Sequence, residues 1–263
     1  MKRRRNSIVW WLVFIAGAVY FLLPLYATLD FSLRAKPPFA AYTNSFADPK
    51  FFSSLLYSFA VGVATIVGSL VLIVPTAYWV QLRVPRARPI VEFVTLMPFV
   101  IPPVVLVFGL IRVYSQGPIP LTHTDIGSTL LLAFGYVVLS LPYMFRAVDT
   151  GLRSIDIRTL TEAAQSMGAG WFTILWRVIL PNIRVAILSG AFLTLAIVLG
   201  EFTIATFLAR PAFGPYISQL GQAKAYEPAA VSLISFGLTW LAMMLIAVLG
   251  RGARTRISLG GAH

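Results

Sequence analysis

Six long apolar stretches constrain the fold of this chain more than any other feature of its sequence. They run approximately over residues 8–29, 55–80, 90–113, 129–148, 183–208 and 229–250. Each reaches the roughly 20 residues that a helix needs to cross a bilayer. Hydrophobic residues make up 58% of the chain and charged residues only 11%, which is too few charges to cover the surface of a water-soluble domain. We therefore predict an all-α integral membrane protein with six transmembrane helices.

Basic residues are distributed unevenly among the segments that separate these stretches. Fifteen of the 21 Lys and Arg residues lie at the N-terminus, in residues 81–89, in residues 146–184 and in the C-terminal tail, and the other six lie in the alternate loops and their borders. Cytoplasmic loops carry the excess of basic residues in membrane proteins, so we predict that both termini are cytoplasmic. The net charge of +12 then reflects topology, and we expect no nucleic-acid partner.

Two of the stretches depart from a simple apolar helix. The first follows basic residues, as in a signal peptide, but its apolar part is longer than the usual core of such a peptide and no small-residue cleavage pattern follows. We interpret it as a retained span. The third contains Pro98, Pro102 and Pro103. Proline is tolerated in membrane helices when neighbouring groups satisfy the freed carbonyls, so we expect a kink there and not a break. We treat residues 1–263 as one transmembrane domain.

One predicted cytoplasmic loop, at about residues 149–182, is much longer than a simple connection. Connections between helices usually need about 2–8 residues, and this loop is several times longer. It also contains good helix formers, so it is not a simple connection. Thr159 and Glu162 have the spacing of a capping box, so a short helix begins there or one turn earlier, at Ser154 or Asp156.

The second half of this loop carries a helix end and a second helical pattern. Gly168 lies in the sequence Met-Gly-Ala-Gly and is suited to end the first helix with a positive φ. Trp171, Leu175 and Val178 follow at a spacing that predicts one apolar stripe of a second helix. Pro181 then redirects the chain into the fifth span. We expect a helix–turn–helix across the cytoplasmic face.

Seven residues of this loop form a pattern that resembles the EAA signature of the permeases of ABC importers. The pattern is EAA, three residues, Gly, nine residues, Ile, one residue and Leu-Pro, and here it reads Glu162, Ala163, Ala164, Gly168, Val178, Leu180 and Pro181. The departure is Val178 in place of Ile, which keeps a β-branched apolar side chain. The spacing is fixed over twenty residues, in an inside loop between late spans.

The resemblance implies a MetI-like, type I importer permease in a bacterial inner membrane. In that family the EAA loop is a coupling helix that docks on a cytoplasmic ATPase. Glu162, Ala163 and Ala164 would then lie at the contact, and Gly168 would form the turn. The chain lacks a Walker A motif, so we expect no enzyme activity and no cofactor on this chain, with ATP and Mg on the partner.

The partners that the resemblance implies are an ABC ATPase dimer, a second permease and a solute-binding protein that is periplasmic or lipid-anchored. Membrane lipid surrounds the assembly. The second permease is expected to be a related but different chain, and a homodimer stays open.

Glu201 is the acidic residue that lies deepest in a predicted span, and burying a charge in lipid is costly. It either faces the substrate path and meets a cationic substrate, or it is a structural carboxylate that is paired or hydrogen-bonded. The chain has no cysteine and only two histidines, which lie outside the spans without metal-ligand spacing. We expect no metal site.

The stretch GEFTIATFL and the proline-rich third span resemble permeases of the spermidine/putrescine class. The resemblance implies a polyamine as the imported solute, with ferric iron, thiamine and aminoethylphosphonate as alternatives within the same broad group. A secondary carrier or channel is the alternative of another class. Such proteins often show internal repeats, and we find none in this sequence.

Overall fold

The computed structural model describes the backbone of residues 2–251 and the side chains of residues 9–241 and 244. The basic side chains of residues 2–5 and the tail after residue 251, on which part of the predicted orientation rests, lie outside this description. Residues 2–251 form helices joined by short connections and contain no strand. The predicted all-α class is confirmed.

Thirteen α-helices and one π-helical segment are present within residues 2–251. The first six helices are α1 (Lys2–Leu33), α2 (Ala40–Ala47), α3 (Pro49–Leu82), α4 (Arg88–Val100), α5 (Pro103–Gln116) and α6 (Asp125–Arg153). The long loop contains α7 (Ile157–Ser166), α8 (Trp171–Thr173), the π-helical segment Ile174–Ile179 and α9 (Leu180–Asn182). The chain continues with α10 (Arg184–Gly200), α11 (Thr203–Phe207), α12 (Phe213–Ala223) and α13 (Glu227–Arg251). Short 3₁₀ turns lie at Pro85–Ala87 and Leu121–His123.

The chain divides into two compact units. One unit comprises Met1–Phe52 and Tyr216–Leu241, and the other is built mainly on Ser53–Pro215. In the first unit the Tyr216 hydroxyl donates to an Asp48 carboxylate oxygen at 3.1 Å. The second unit contains the long loop and Glu201.

Three described helices are long and apolar enough to cross a membrane on their own. They contain Val9–Leu33, Pro49–Leu82 and Asp125–Arg153. Two bent helix pairs raise the number to five if each pair forms one span. The sixth predicted span falls on α13, most of whose later side chains lie outside the description, so the count of six stays a prediction.

The third predicted span is broken, and the expectation of a kink was wrong. α4 and α5 meet at an angle of 101°. Ile101 has extended backbone, with φ −87° and ψ 114°, and Pro102 has φ −59° and ψ 141°. A residue before proline is driven out of the α region by the proline ring, and two successive prolines remove two helix donors. These two effects together interrupt the helix at residues 101–102.

The fifth predicted span is also interrupted. α10 ends at Gly200, and Glu201 is extended with φ −76° and ψ 129°. The short helix α11 then starts at Thr203. The apolar pattern across residues 183–208 gave no sign of this interruption, because the interruption depends on a side chain that replaces helix hydrogen bonds, as described below.

Close packing of α6 against α10 forms the centre of the second unit. A Cβ added to Gly151 would lie 2.5 Å from the Ala186 Cβ, and one added to Gly190 would lie 2.8 Å from the Met144 Sδ. Small residues that allow such an approach are typical of helix contacts inside membranes.

An ion network joins α3, α4 and α6 at one end of this unit. The Asp149 carboxylate accepts hydrogen bonds from Arg88 at 2.8 Å and Gln81 at 3.0 Å, and it lies 3.1 Å from Arg153. Arg88 also donates to Glu92 at 2.8 Å. The Asp149 side chain is only 10% exposed, so these partners compensate most of the cost of burying its charge.

We predict that Asp149→Asn lowers the free energy of unfolding by about 2 kcal/mol, because Arg88 and Arg153 lose the carboxylate that they share in a mostly buried site. The matched control is Glu92→Gln, which breaks a pair whose acid is 44% exposed and should cost less than about 1 kcal/mol. The apparent Tm in detergent measures both. Equal shifts for the two variants would contradict the central position of Asp149.

Candidate functional site

The first helix of the long loop begins at an aspartate cap. The Asp156 carboxylate accepts from the Thr159 hydroxyl at 2.7 Å and from the Thr159 backbone N–H at 3.2 Å. Of the predicted starts, the turn-earlier position at Asp156 is therefore the one present, and Glu162 lies 3.5 Å from Arg158 instead of closing a capping box. The bonds from Thr159 hold the pKa of Asp156 below its usual value. The cap therefore stays charged at neutral pH and is lost only as the pH falls through that lowered pKa.

One face of α7 is fixed to the membrane helices. Ile157, Thr161 and Ala164 are buried, at 9%, 6% and 2% exposure. The Thr161 and Tyr78 hydroxyls lie 3.1 Å apart in a buried hydrogen bond, and Tyr78 belongs to α3. Ile157, Ala164 and Tyr78 share one apolar core with residues of α6. α7 is thus packed directly against α3 and α6.

The opposite face of α7 is exposed to solvent. Glu162 and Ala163 are exposed, and Met167 at the end of the helix is 80% exposed. Glu162 and Arg158 border a cleft of about 250 Å³. Of the three EAA residues, two therefore lie on the outward face, whereas Ala164 lies in the core beneath it.

Gly168 ends α7 with a Schellman motif. Its φ is +78°, its N–H donates to the Gln165 carbonyl at 2.9 Å, and the Ala169 N–H donates to the Ala164 carbonyl at 3.0 Å. These two bonds are the 5→2 and 6→1 bonds that define the motif. The glycine cap predicted from the sequence is present.

The second helical run of the loop is wound differently from the prediction. Residues Ile174–Ile179 form a π-helix, so the buried side chains are those of Ile174, Leu175 and Ile179. Trp171, which we expected on the apolar stripe, is 45% exposed. The predicted stripe was based on the 3.6 residues per turn of an α-helix, and a π-helix has more residues per turn. Pro181 lacks the N–H that an α-helix would place on the Arg177 carbonyl, and its ring clashes with that carbonyl, which favours the wider turn before it.

The last three residues of the EAA pattern anchor this run. Val178 and Leu180 are partly buried against the core that holds α7. Pro181 is exposed and lies one residue before the end of α9. Arg184 then begins α10, at an angle of 82° to the preceding run. Val178 and Leu180 thus hold this run against the core, whereas Pro181 lies on the surface.

Glu201 caps α11 from inside the protein. Its carboxylate accepts from the Ile204 N–H at 2.9 and 3.1 Å and from the Ala205 N–H at 3.3 Å, and the residue is 8% exposed. The fully buried Tyr136 hydroxyl adjoins this carboxylate without meeting hydrogen-bond geometry. The observed bonds favour the structural alternative for Glu201.

Glu201 also borders an open groove of about 510 Å³ beside the two helix breaks. The groove is lined by Pro98, Phe99, Pro103, Leu139, Tyr143, Ala196, Ile197, Gly200, Glu201, Phe202 and Thr203. Within the described side chains, no group of three or more His, Asp or Glu residues is arranged to hold a metal ion.

Sequence reasoning missed two features of the site. The Asp149 network was not predicted, although an acidic residue at the end of an apolar stretch, next to several basic residues, is a signal that could have suggested it. The groove was not predicted either, because it requires both the third and the fifth span to break.

Comparison with known proteins agrees with this architecture. A family model described as "Binding-protein-dependent transport system inner membrane component" matches residues 69–255. The chain is 33% identical over 144 residues to a probable molybdenum ABC transporter permease protein of Haloferax volcanii, covering 52% of this chain and 51% of that protein. It is 29% identical over 184 residues to the spermidine/putrescine transport system permease protein PotB of Haemophilus influenzae, covering 64% and 62%. The matched parts thus span about half to three fifths of these relatives.

A solved structure shows the same fold over nearly the whole chain. It is a chain of a bacterial alginate ABC transporter in complex with an alginate pentasaccharide-bound periplasmic protein, with a TM-score of 0.73, 15% identity and 99% coverage of both chains. The MetI-like permease fold predicted from the sequence is confirmed. Because the family model matches most of the chain and the fold agrees, this chain belongs to the family of binding-protein-dependent transport system inner membrane components.

Proposed function

We propose that this chain forms half of the transmembrane path of an ATP-driven importer, and that α7 couples the path to a cytoplasmic ATPase dimer. The observation that carries the coupling is the two-sided environment of α7. Its inner face is buried with Tyr78 and the α6 core, and its outer face presents Glu162 and Ala163 to solvent. A small alanine beside a charged residue allows close approach of a partner surface.

The coupling step is a rigid-body movement of α7. When the ATPase dimer closes on ATP, the two docked loops are drawn together, and the buried contacts of α7 carry that shift into α3 and α6. The Schellman cap at Gly168 and the aspartate cap at Asp156 keep α7 from fraying under the load. Packed elements that shift as units are a common basis of such transitions.

The remaining partners follow from the same assembly. A second permease, related but different, completes the path, and a solute-binding protein delivers the substrate from outside the bacterial inner membrane. ATP hydrolysis takes place on the separate ATPase, since this chain has no Walker A motif.

We propose a polyamine as the imported solute. The likeness to a spermidine/putrescine permease covers more of this chain than the likeness to a probable molybdenum permease, although the latter has the higher identity. The likeness to the probable molybdenum permease favours an oxyanion as the competing substrate. The two classes have opposite charge, so one experiment separates them.

The test is the ATPase rate of the complex assembled from this permease, its partner permease, the ATPase and the binding protein. We expect stimulation by spermidine or putrescine and none by molybdate. Stimulation by molybdate alone would retain the importer and replace the substrate. If no ATPase assembles with this chain, the coupling role of α7 is wrong and a carrier or channel becomes the better explanation.

Gly168→Val should uncouple ATP hydrolysis from transport. A β-branched residue at φ +78° is strained by about 1–3 kcal/mol, so the end of α7 would rearrange. A Cβ at Gly168 meets nothing within 4 Å, and therefore the effect comes from the backbone and not from a clash.

Gly170→Val is the matched control. Gly170 is exposed, has nothing within 4 Å of an added Cβ, and has an ordinary φ of −74°. We expect uptake per ATP hydrolysed to fall for Gly168→Val and to stay near the wild-type value for Gly170→Val. Equal values for both variants would count against α7 as the coupling element.

A further inference from the structure

Two broken helices end at the same groove. The break between α4 and α5 contributes Pro98, Phe99 and Pro103 to its wall, and the break between α10 and α11 contributes residues 200–203. Both breaks lie inside predicted membrane spans. Irregular backbone at membrane depth is tolerated where it is buried in protein or lines a water-filled cavity, so the groove explains how this chain accommodates both breaks.

The carbonyls of Pro98 and Phe99 have lost their helical donors. In an α-helix they would accept from the N–H groups of residues 102 and 103, but both of these residues are prolines and have no N–H. The last helical bond of α4 runs from the Ile101 N–H to the Met97 carbonyl. The last carbonyls of a helix point along its axis beyond its C-terminus, and both residues line the groove.

The Gly200 carbonyl has lost its donor for a different reason. In a continuing helix it would accept from the Ile204 N–H, but that N–H bonds the Glu201 carboxylate. α10 closes with a long turn bond from the Glu201 N–H to the Val198 carbonyl, at 3.4 Å. Gly200 lines the groove, and a Cβ there would meet nothing within 4 Å.

The electrostatic character of the groove is negative. The C-termini of α4 and α10, each equivalent to about half a negative charge, end at the groove, and the N-termini of α5 and α11 begin there at Pro103 and Thr203 with about half a positive charge each. These helix ends largely offset one another, so the net negative character comes from Glu201, which is the acidic residue in the lining. No basic residue occurs among the described residues that line it. Phe99 is 60% exposed and stands edge-on to Tyr143 with ring centroids 5.4 Å apart. Exposed aromatic faces attract ammonium groups.

We propose that this groove is a transient binding site for a protonated amine on the translocation path, with backbone carbonyls as the principal ligands. The proposal rests on the proposed importer function and specifies where the cation binds. Glu201 contributes charge, but its oxygens are already occupied by α11. Such a site binds a cation without a tight ion pair, as conduction requires, and it disfavours oxyanions.

The experiment measures uptake of labelled putrescine per ATP hydrolysed in proteoliposomes that contain the complete importer. Gly200→Leu fills the groove from a position with free space, and we expect uptake per ATP to fall about tenfold or more when the pathway is obstructed. Gly109→Leu is the matched control, because Gly109 also has nothing within 4 Å of an added Cβ and does not line the groove. Its uptake should stay near the wild-type value.

A second variant tests the cation itself. Phe99→Leu keeps an apolar side chain and removes the aromatic face, so putrescine uptake per ATP should fall about two- to tenfold. Normal putrescine uptake by both Gly200→Leu and Phe99→Leu would overturn the groove while leaving the importer intact. Wild-type importer that transports molybdate and not putrescine would overturn the amine site together with the proposed substrate.

Discussion

The obligation to satisfy backbone polar groups inside the membrane governs the structure of this chain. Two predicted spans break. At both breaks most backbone N–H donors are either absent or bonded, whereas several backbone carbonyls have lost their helical partners. Pro102 and Pro103 have no N–H to leave unpaired, and the Glu201 carboxylate accepts from the Ile204 and Ala205 N–H groups of α11. What remains at the breaks is a set of carbonyls. The carbonyls of Pro98, Phe99 and Gly200 belong to residues that line one groove, and this is the groove that we propose as the amine site.

The long loop between α6 and α10 is held by several specific contacts. An aspartate cap, a Schellman motif and a buried Tyr78–Thr161 hydrogen bond hold α7 at both ends and along its inner face. The π-helical segment after it adapts the chain to Pro181 before α10 begins. Because α7, α3 and α6 share one core, the exposed Glu162–Ala163 face is joined to the membrane helices by direct packing, which is the basis of the coupling that we propose.

Local patterns predicted much of this fold, and contacts distant in sequence explain the rest. Apolar length located the long helices, and the spacing of the EAA pattern located α7 and the glycine that ends it. The break at Glu201 was missed because its carboxylate competes with a backbone carbonyl for the Ile204 N–H. A hydropathy pattern does not reveal such a competition. Ala164 was assigned to the outward face by the motif, whereas helix geometry turns it inward. The prediction that Trp171 lies on the apolar stripe was wrong because the chain changes from α-helix to π-helix at Ile174.

The most direct test of the account is the accessibility of a single thiol on α7. The chain has no cysteine, so Ala163→Cys introduces one reactive group, and Ala164→Cys, at a buried position, is its matched control. With a membrane-impermeant maleimide on inside-out vesicles, we predict rapid labelling at 163, strong protection when the ATPase is assembled, and little labelling at 164 in either state. Labelling at 163 from the opposite side only, or labelling that the ATPase leaves unchanged, would contradict it.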